Sequence, residues 1–225
     1  MFRESQVLFN DRRDAGRKLA QVLLESPPSP DTIVLALPRG GVPVAYEVAA
    51  ALNLPLDILA VRKLGAPGQE ELAMGAIAGG GALALNAGVL AALGIREESV
   101  RAFAEEERAQ LTEDERVFRN CLPPLDFTGR PVLLIDDGLA TGATMRAAAR
   151  AVRPRAREIV IAVPVAAPST FRALFAEADR VLACTQPEPF EAVGRFYRNF
   201  DPTADGEVIA LLAEARGDRQ VQPVA

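Results

Sequence analysis

The chain has 225 residues, enough to bury one substantial core, so a single domain over 1–225 is expected. Hydrophobic residues make up 49% and charged residues 24%, ordinary proportions for a globular protein, and a net charge of -5 offers no general attraction to nucleic acid or to anionic lipid. No apolar run approaches membrane-spanning length, and the first residues, MFRESQVLFNDRRDAG, show no signal-peptide pattern.

Histidine is absent, which removes Ser-His-Asp triads, Cys-His pairs and HExxH zinc sites. Any chemistry must rest on carboxylates, cations, backbone amides or a cofactor. Cys121 and Cys184 stand far apart, in no CxxC arrangement. That usage fits a reducing, cytoplasmic compartment and argues against a disulfide framework or a zinc site.

In chain order, Asp11–Leu24 reads as a helix, with Ala15, Leu19, Val22 and Leu23 at helical spacing. SPPSPD at 26–31 breaks the chain, and the apolar run Thr32–Leu37 predicts a strand covered on both faces. ProArgGlyGly leads into a helix over Val42–Leu52, and Leu56–Val61 predicts the next strand, ending at Arg62-Lys63. Residues 64–88 are Gly-rich and poor in pattern, with AIAGGGALAL (76–85) readable as a hairpin turning at Gly79–Gly81. Ile95–Arg119 is charged and helix-like, with Val100, Phe103, Ala104 and Leu111 on an inner stripe, and Pro123-Pro124 closes it. Then follow a strand at Val132–Ile135, a helix at Ala143–Val152, a strand at Ile159–Val163, a helix at Ser169–Ala176, a strand at Arg180–Ala183 and a last helix at Asp205–Ala215.

Strands alternating with helices across short turns imply an α/β fold whose central parallel sheet has helices on both faces. Ligands of such sheets sit at the carboxyl ends of the strands. The three most unusual loops, at 38–41, 62–75 and 136–144, each follow a predicted strand.

The strongest signal is Val132–Thr144. Its strand delivers two adjacent carboxylates, Asp136 and Asp137, to the sheet edge. Gly138, Leu139, Ala140, Thr141, Gly142, Ala143 and Thr144 then lead into a helix. A helix N-terminus presents unpaired N–H groups suited to phosphate, and threonine hydroxyls add donors. Two carboxylates beside a phosphate site repel the anion itself, but can grip hydroxyls or a divalent cation next to it. A sugar phosphate fits. By themselves the residues also fit a plain strand–turn–helix with N-cap threonines.

These residues resemble the phosphoribosyl pyrophosphate (PRPP) motif of type I phosphoribosyltransferases, in its adenine-type wording with Ala140-Thr141-Gly142. With the strand pattern, the resemblance spans roughly residues 30–185. It implies a flexible-loop hairpin at about 64–88 and a small C-terminal hood at about 187–204. It implies that Pro38-Arg39-Gly40-Gly41 is the pyrophosphate loop, with a cis peptide at Pro38–Arg39. Arg62-Lys63-Leu64-Gly65-Ala66-Pro67-Gly68 is similar to an adenine-type stretch in which the lysine meets the pyrophosphate. Read without the family, the first of these is a simple βα turn and the second a solvated charge pair beside a turn.

The implied activity is transfer of the 5-phosphoribosyl group of PRPP to a nitrogen acceptor, a nucleobase or related compound, with release of pyrophosphate. Asp136 and Asp137 would hold the ribose diol, directly or through Mg²⁺. Residues 138–144 would hold the 5-phosphate, and Arg39 and Lys63 would assist the leaving group. A homodimer is also implied.

Ala140 stands where hypoxanthine-guanine enzymes carry an Asp, which disfavours a 6-oxopurine acceptor, and Gly138 replaces the usual apolar residue and loosens the loop. In the hood, Phe190, Phe196, Tyr197 and Phe200 fit either a stacking surface for a base or the core of a small cap. A non-catalytic PRPP-binding sensor with the same fold is the alternative reading. A phosphatase or kinase-like hydrolase lacks both its DxDx[TV] spacing and a P-loop.

Overall fold

The computed structural model describes residues 7–79, 82–120 and 122–217. Cys121 and the glycines Gly80 and Gly81 of the expected hairpin turn lie outside them. Helix α1 (Arg12–Glu25) starts at Asp11, whose carboxylate accepts from the Asp14 N–H at 2.8 Å. Its apolar stripe, including Ala15, Leu19 and Leu23, is buried.

Strand β1 (Ile33–Ala36) is buried at every residue. Helix α2 (Gly41–Leu52) follows, ending at Asn53 with a φ of 52°. Strand β2 (Leu56–Ile58) is short. After an intervening unit come β6 (Pro131–Ile135), α5 (Ala143–Val152), β7 (Glu158–Val165), α6 (Pro168–Ala173), β8 (Arg180–Thr185) and α7 (Asp205–Ala215).

The main sheet is parallel, in the order β2-β1-β6-β7-β8, and β1 lies against β6 with Ile33 opposite Val132 and Ala36 opposite Ile135. Alternation along the strands splits the core in two. Leu35, Leu134 and Ile161 pack with Met145 and Ala148 of α5 on one face. Val34, Leu133 and Val160 pack with α1, α2 and α7 on the other.

The intervening unit departs from the sequence reading. The strand expected at 56–61 stops at Ile58, and Val61 begins a different sheet. That sheet is antiparallel and three-stranded, made of β3 (Val61–Ala66), β4 (Gln69–Ala78) and β5 (Ala82–Leu85). Thus 62–75, expected as a loop, is mostly strand. Its alanines and glycines hide the alternation, yet Leu64, Ala66, Met74 and Ile77 gather into one cluster with residues of α3 (Ala87–Leu93) and α4 (Glu97–Phe118). The strands of the expected 76–85 hairpin are present, with Ile77 opposite Leu83. Helix α3 was not anticipated. Asn86 caps its start and Gly94, at φ 63°, its end.

A buried ion cluster joins this unit to the main sheet. The Arg119 guanidinium donates to Asp57 Oδ1 at 2.8 Å, Glu115 Oε2 at 2.9 Å and the Ile58 carbonyl at 3.0 Å. Asp57 also accepts from the Leu125 N–H at 2.7 Å, and Glu115 from the Ala60 N–H at 3.0 Å. Arg216 Nη2 lies 2.9 Å from Asp57 Oδ1, close enough for attraction but without hydrogen-bond geometry. The last bond to β1 runs from the Leu59 N–H to the Ala36 carbonyl at 2.9 Å, and the next N–H, of Ala60, goes to Glu115. A Cβ on Gly79 would overlap the Glu115 carboxylate.

Removing one partner of such a cluster leaves buried charge uncompensated. Arg119→Met should therefore cost about 3–5 kcal/mol of stability. Urea denaturation would show a lower midpoint at unchanged slope.

Candidate functional site

The chain runs from β1 outward to β2, then returns to place β6 on the other side of β1 and continues away through β7 and β8. This reversal opens a crevice at the carboxyl ends of β1 and β6. The loops expected to carry function, 38–41 and 136–144, leave there side by side. The Leu37 N–H donates to the Ile135 carbonyl at 2.9 Å. A Cβ on Gly41 would lie 2.7 Å from the Ile135 carbonyl oxygen, and one on Gly40 would overlap Asp137 Oδ2. Both glycines are thus required by the closeness of the acid pair. The Pro38–Arg39 peptide is cis.

Asp136 Oδ1 accepts from the Asp137 N–H at 2.8 Å. Asp137 Oδ2 accepts from Arg12 Nε at 2.9 Å, and both side chains are largely buried. Arg12 also donates through Nη1 to the Asp201 carbonyl at 2.7 Å and lies 4.0 Å above the centre of the Phe200 ring. The Tyr197 hydroxyl donates to the Asp137 carbonyl at 2.6 Å.

Burial, reinforced by the neighbouring Asp137 charge, pushes the Asp136 carboxyl well above the usual carboxylate range. Burial also raises Asp137, against the opposing pull of Arg12. The Tyr197 phenol is pushed up by burial and then by the Asp137 charge, so it stays a neutral donor.

The loop after the acid pair is braced from below and open above. The Leu139 side chain is in the core, its N–H donates to the Val165 carbonyl at 2.9 Å, and its carbonyl accepts from the Ala167 N–H at 2.8 Å. Leu139 is therefore a brace, with no backbone donor left for a ligand. Thr170 Oγ1 donates to the Ala140 carbonyl at 2.6 Å. Gly142, at φ 68°, precedes Ala143 and Thr144 in the first turn of α5. Ala140, Thr141 and Thr144 are exposed, where a phosphate could reach the first-turn amides. Arg146 Nη1 lies 3.5 Å from where a Gly142 Cβ would be, adding a cation beside the loop. Gly138 does not loosen the loop as expected. Val193 and Val165 fill the space that a side chain would need.

The expected cations divide between the crevice and β3. Arg39 pairs with Asp205 at the start of α7, at 3.2 Å and well exposed. Arg62 and Lys63 sit within β3, opposite Ile77 and Ala76, rather than in a loop. Arg62 pairs with Glu107 and Asp114 of α4. Lys63 lines a cavity of about 860 Å³ with Met74, Ile95, Val100 and Phe103, and none of the lining residues comes from 38–41 or 136–144. The structure therefore brings together Arg39, Gly40, Gly41 and 136–144, while Arg62 turns to α4 and Lys63 lines the cavity beside that helix.

The aromatics of 187–204 form the core of a small cap. Phe196 and Tyr197 are buried with Phe9, and Phe190, Val193 and Phe200 pack around them. The chain before α1 belongs to the same cap, because Leu8 and Phe9 donate to the Phe196 carbonyl and Arg198 donates to the Phe9 carbonyl. Arg12 is the residue sequence reading missed. It meets an acceptor 125 positions away, and its only local signal was a place in the first turn of a helix.

A family model described as a phosphoribosyl transferase domain matches residues 9–200. The chain belongs to that family. It is 45% identical over 213 residues to proteins of two Mycobacterium tuberculosis strains, provisionally named phosphoribosyl transferases. That match covers 94% of this chain and 48% of theirs, so the chain spans about half the length of these relatives. The crystal structure of TT1426 from Thermus thermophilus superimposes with a TM-score of 0.83 at 42% identity, covering 92% of this chain and 98% of that one. These names specify no acceptor.

The raised Asp136 carboxyl sets a stability test. Between the ordinary carboxylate pKa and the raised one, the folded state binds more protons than the unfolded state, so stability falls as pH rises through that window. In EDTA, Asp136→Asn should melt higher than the parent at pH 7, and the gap should close towards pH 4. Equal melting temperatures at both pH values would mean that the carboxyl titrates normally.

Proposed function

We propose that the chain binds PRPP in the β1/β6 crevice and transfers its 5-phosphoribosyl group to a nitrogen acceptor, a nucleobase or related compound, releasing pyrophosphate. The observation that carries this reading is the meeting, in one crevice, of a buried acid pair and an open helix N-terminus. A ligand bearing hydroxyls next to a phosphate matches both. Family membership supports the same reaction class.

In this reading Asp136 accepts from the ribose hydroxyls, while Thr141, Thr144 and the first-turn amides of α5 take the 5-phosphate. Arg39, freed from its exposed pair with Asp205, reaches the pyrophosphate. Displacement at C1 builds positive charge on the ring and negative charge on the leaving group, so catalysis is positioning and electrostatics.

Among the described residues no group of three or more acidic or thiol side chains is placed to hold a metal ion. Two carboxylates, one of them paired with Arg12, suit Mg²⁺ carried in largely on ligand oxygens and water. When bound, Mg²⁺ would neutralise the pyrophosphate. No helix among the described residues is long and apolar enough to cross a membrane. A cytoplasmic homodimer completes the proposal.

One observation favours a second reading, a PRPP-binding sensor. Lys63, the cation that the family resemblance aims at the pyrophosphate, lines a cavity to which neither 38–41 nor 136–144 contributes.

Calorimetry with PRPP, with and without Mg²⁺, tests the ligand. Binding should weaken by about 100-fold or more in the Asp136→Asn/Asp137→Asn variant, because charged hydrogen-bond acceptors are lost. No binding by the parent protein would sink the proposal. A screen of bases for pyrophosphate release then separates enzyme from sensor.

A further inference from the structure

The two carboxylates of the acid pair are held differently, and the difference is built by residues far away in sequence. Asp137 is gripped on its side chain by Arg12 and on its carbonyl by Tyr197. Asp136 accepts only the Asp137 N–H among the hydrogen bonds of the described residues. Arg12 is itself fixed on three sides. Phe200 lies under its guanidinium, the Asp201 carbonyl takes Nη1, and Gly40 leaves the room in which Nε meets Asp137. A Cβ on Gly40 would come within 3.2 Å of Arg12 Nε as well as overlapping the Asp137 carboxylate. The 38–41 loop, the acid pair, α1 and the cap therefore converge on one guanidinium.

We propose that Arg12 is a positioning residue for the ligand site: it locks Asp137 in place and neutralises it, leaving Asp136 as the carboxylate that engages the ribose hydroxyls. This rests on the proposed binding of PRPP. It divides the labour within the acid pair, which the sequence treats as two equivalent residues. A free Asp137 carboxylate would bring an uncompensated charge towards the phosphates of the ligand, and it could swing out of the space above Gly40 that it fills when paired. Paired with Arg12, it presents no net charge and holds the backbone that carries Asp136. Arg12 also makes the cap part of the ribose site, because the residues that fix it, Phe200 and Asp201, belong to the cap.

The test is a double-mutant cycle on PRPP affinity by calorimetry, with Arg12→Gln, Asp137→Asn and the two combined. Each single variant should bind about tenfold more weakly, the scale of one lost charged interaction, and the combination should be no weaker than either alone. Asp136→Asn should lose more than either. Arg12→Lys keeps the charge but loses the fork and the face on Phe200, so it should bind better than Arg12→Gln and worse than the parent. That graded rescue would not follow from a purely structural role.

If Arg12→Gln lacks a cooperative melt, the cycle is run with Arg12→Lys under the same additivity criterion. Additive losses would overturn the proposal, since Arg12 would then act independently of Asp137. Unchanged affinity in Arg12→Gln would overturn it too. In both cases the parent protein still binds PRPP, so the functional reading survives. A parent protein that does not bind PRPP removes that reading, and the ligand role of Arg12 with it.

Discussion

Two carboxylates side by side, with burial stripping away most of their water, form the constraint around which the rest of the site is arranged. Left alone, each would raise the other's pKa and destabilise the fold. The chain compensates one of them more than the other. Asp137 receives Arg12 from the first turn of α1, and its backbone receives Tyr197 from the cap. Asp136 receives one backbone N–H, while burial and then the Asp137 charge push its carboxyl well up. A site that leaves one half-buried carboxylate with a single backbone donor is poised for a ligand that brings hydroxyl donors to it.

The loop after the acid pair shows the complementary device. Everything beneath it is fixed: Leu139 by both backbone groups to the end of β7 and the start of α6, Ala140 by the Thr170 hydroxyl, Gly138 by Val193 of the cap. Everything above it is exposed. An anion bound at such a rim, as proposed, would not have to order it first, which lowers the entropic cost of association. The price of the arrangement is paid in residue choice, because Gly138 and Gly142 cannot carry side chains where Val193 and Thr170 stand.

Much of this was legible in the sequence. Strands buried on both faces read as the continuous runs Thr32–Leu37 and Val132–Ile135, and the acid pair with its Gly/Thr loop stood out because few other folds ask for that combination. What stayed hidden has physical reasons. In β3 and β4 the alternation is carried by alanine and glycine against lone large residues such as Leu64 and Met74, so a paired strand looks like a loop. Just past β2 the Ala60 N–H finds its acceptor in Glu115, 55 positions away, a partner that no local pattern announces. The cap aromatics admit both stacking and core roles in sequence. Only the strand of chain at 8–10, threaded beside 196–199, closes them into a core.

The cations of the crevice can be ranked by what it costs to free them. Arg39 and Asp205 are both more than half exposed, and such pairs contribute about 0–1 kcal/mol, so an anion can draw Arg39 away at little cost. Arg12 is largely buried against a buried carboxylate, stacked on Phe200 and bonded to Asp201. Breaking a pair of that kind costs about 3–5 kcal/mol, more than one phosphate contact returns. Arg39 is therefore the cation that can move to meet a ligand, and Arg12 the one that stays. In the proposed transfer one cation would follow the leaving group while the other keeps the acid pair in register, and a single crevice would need both when charge separates within it.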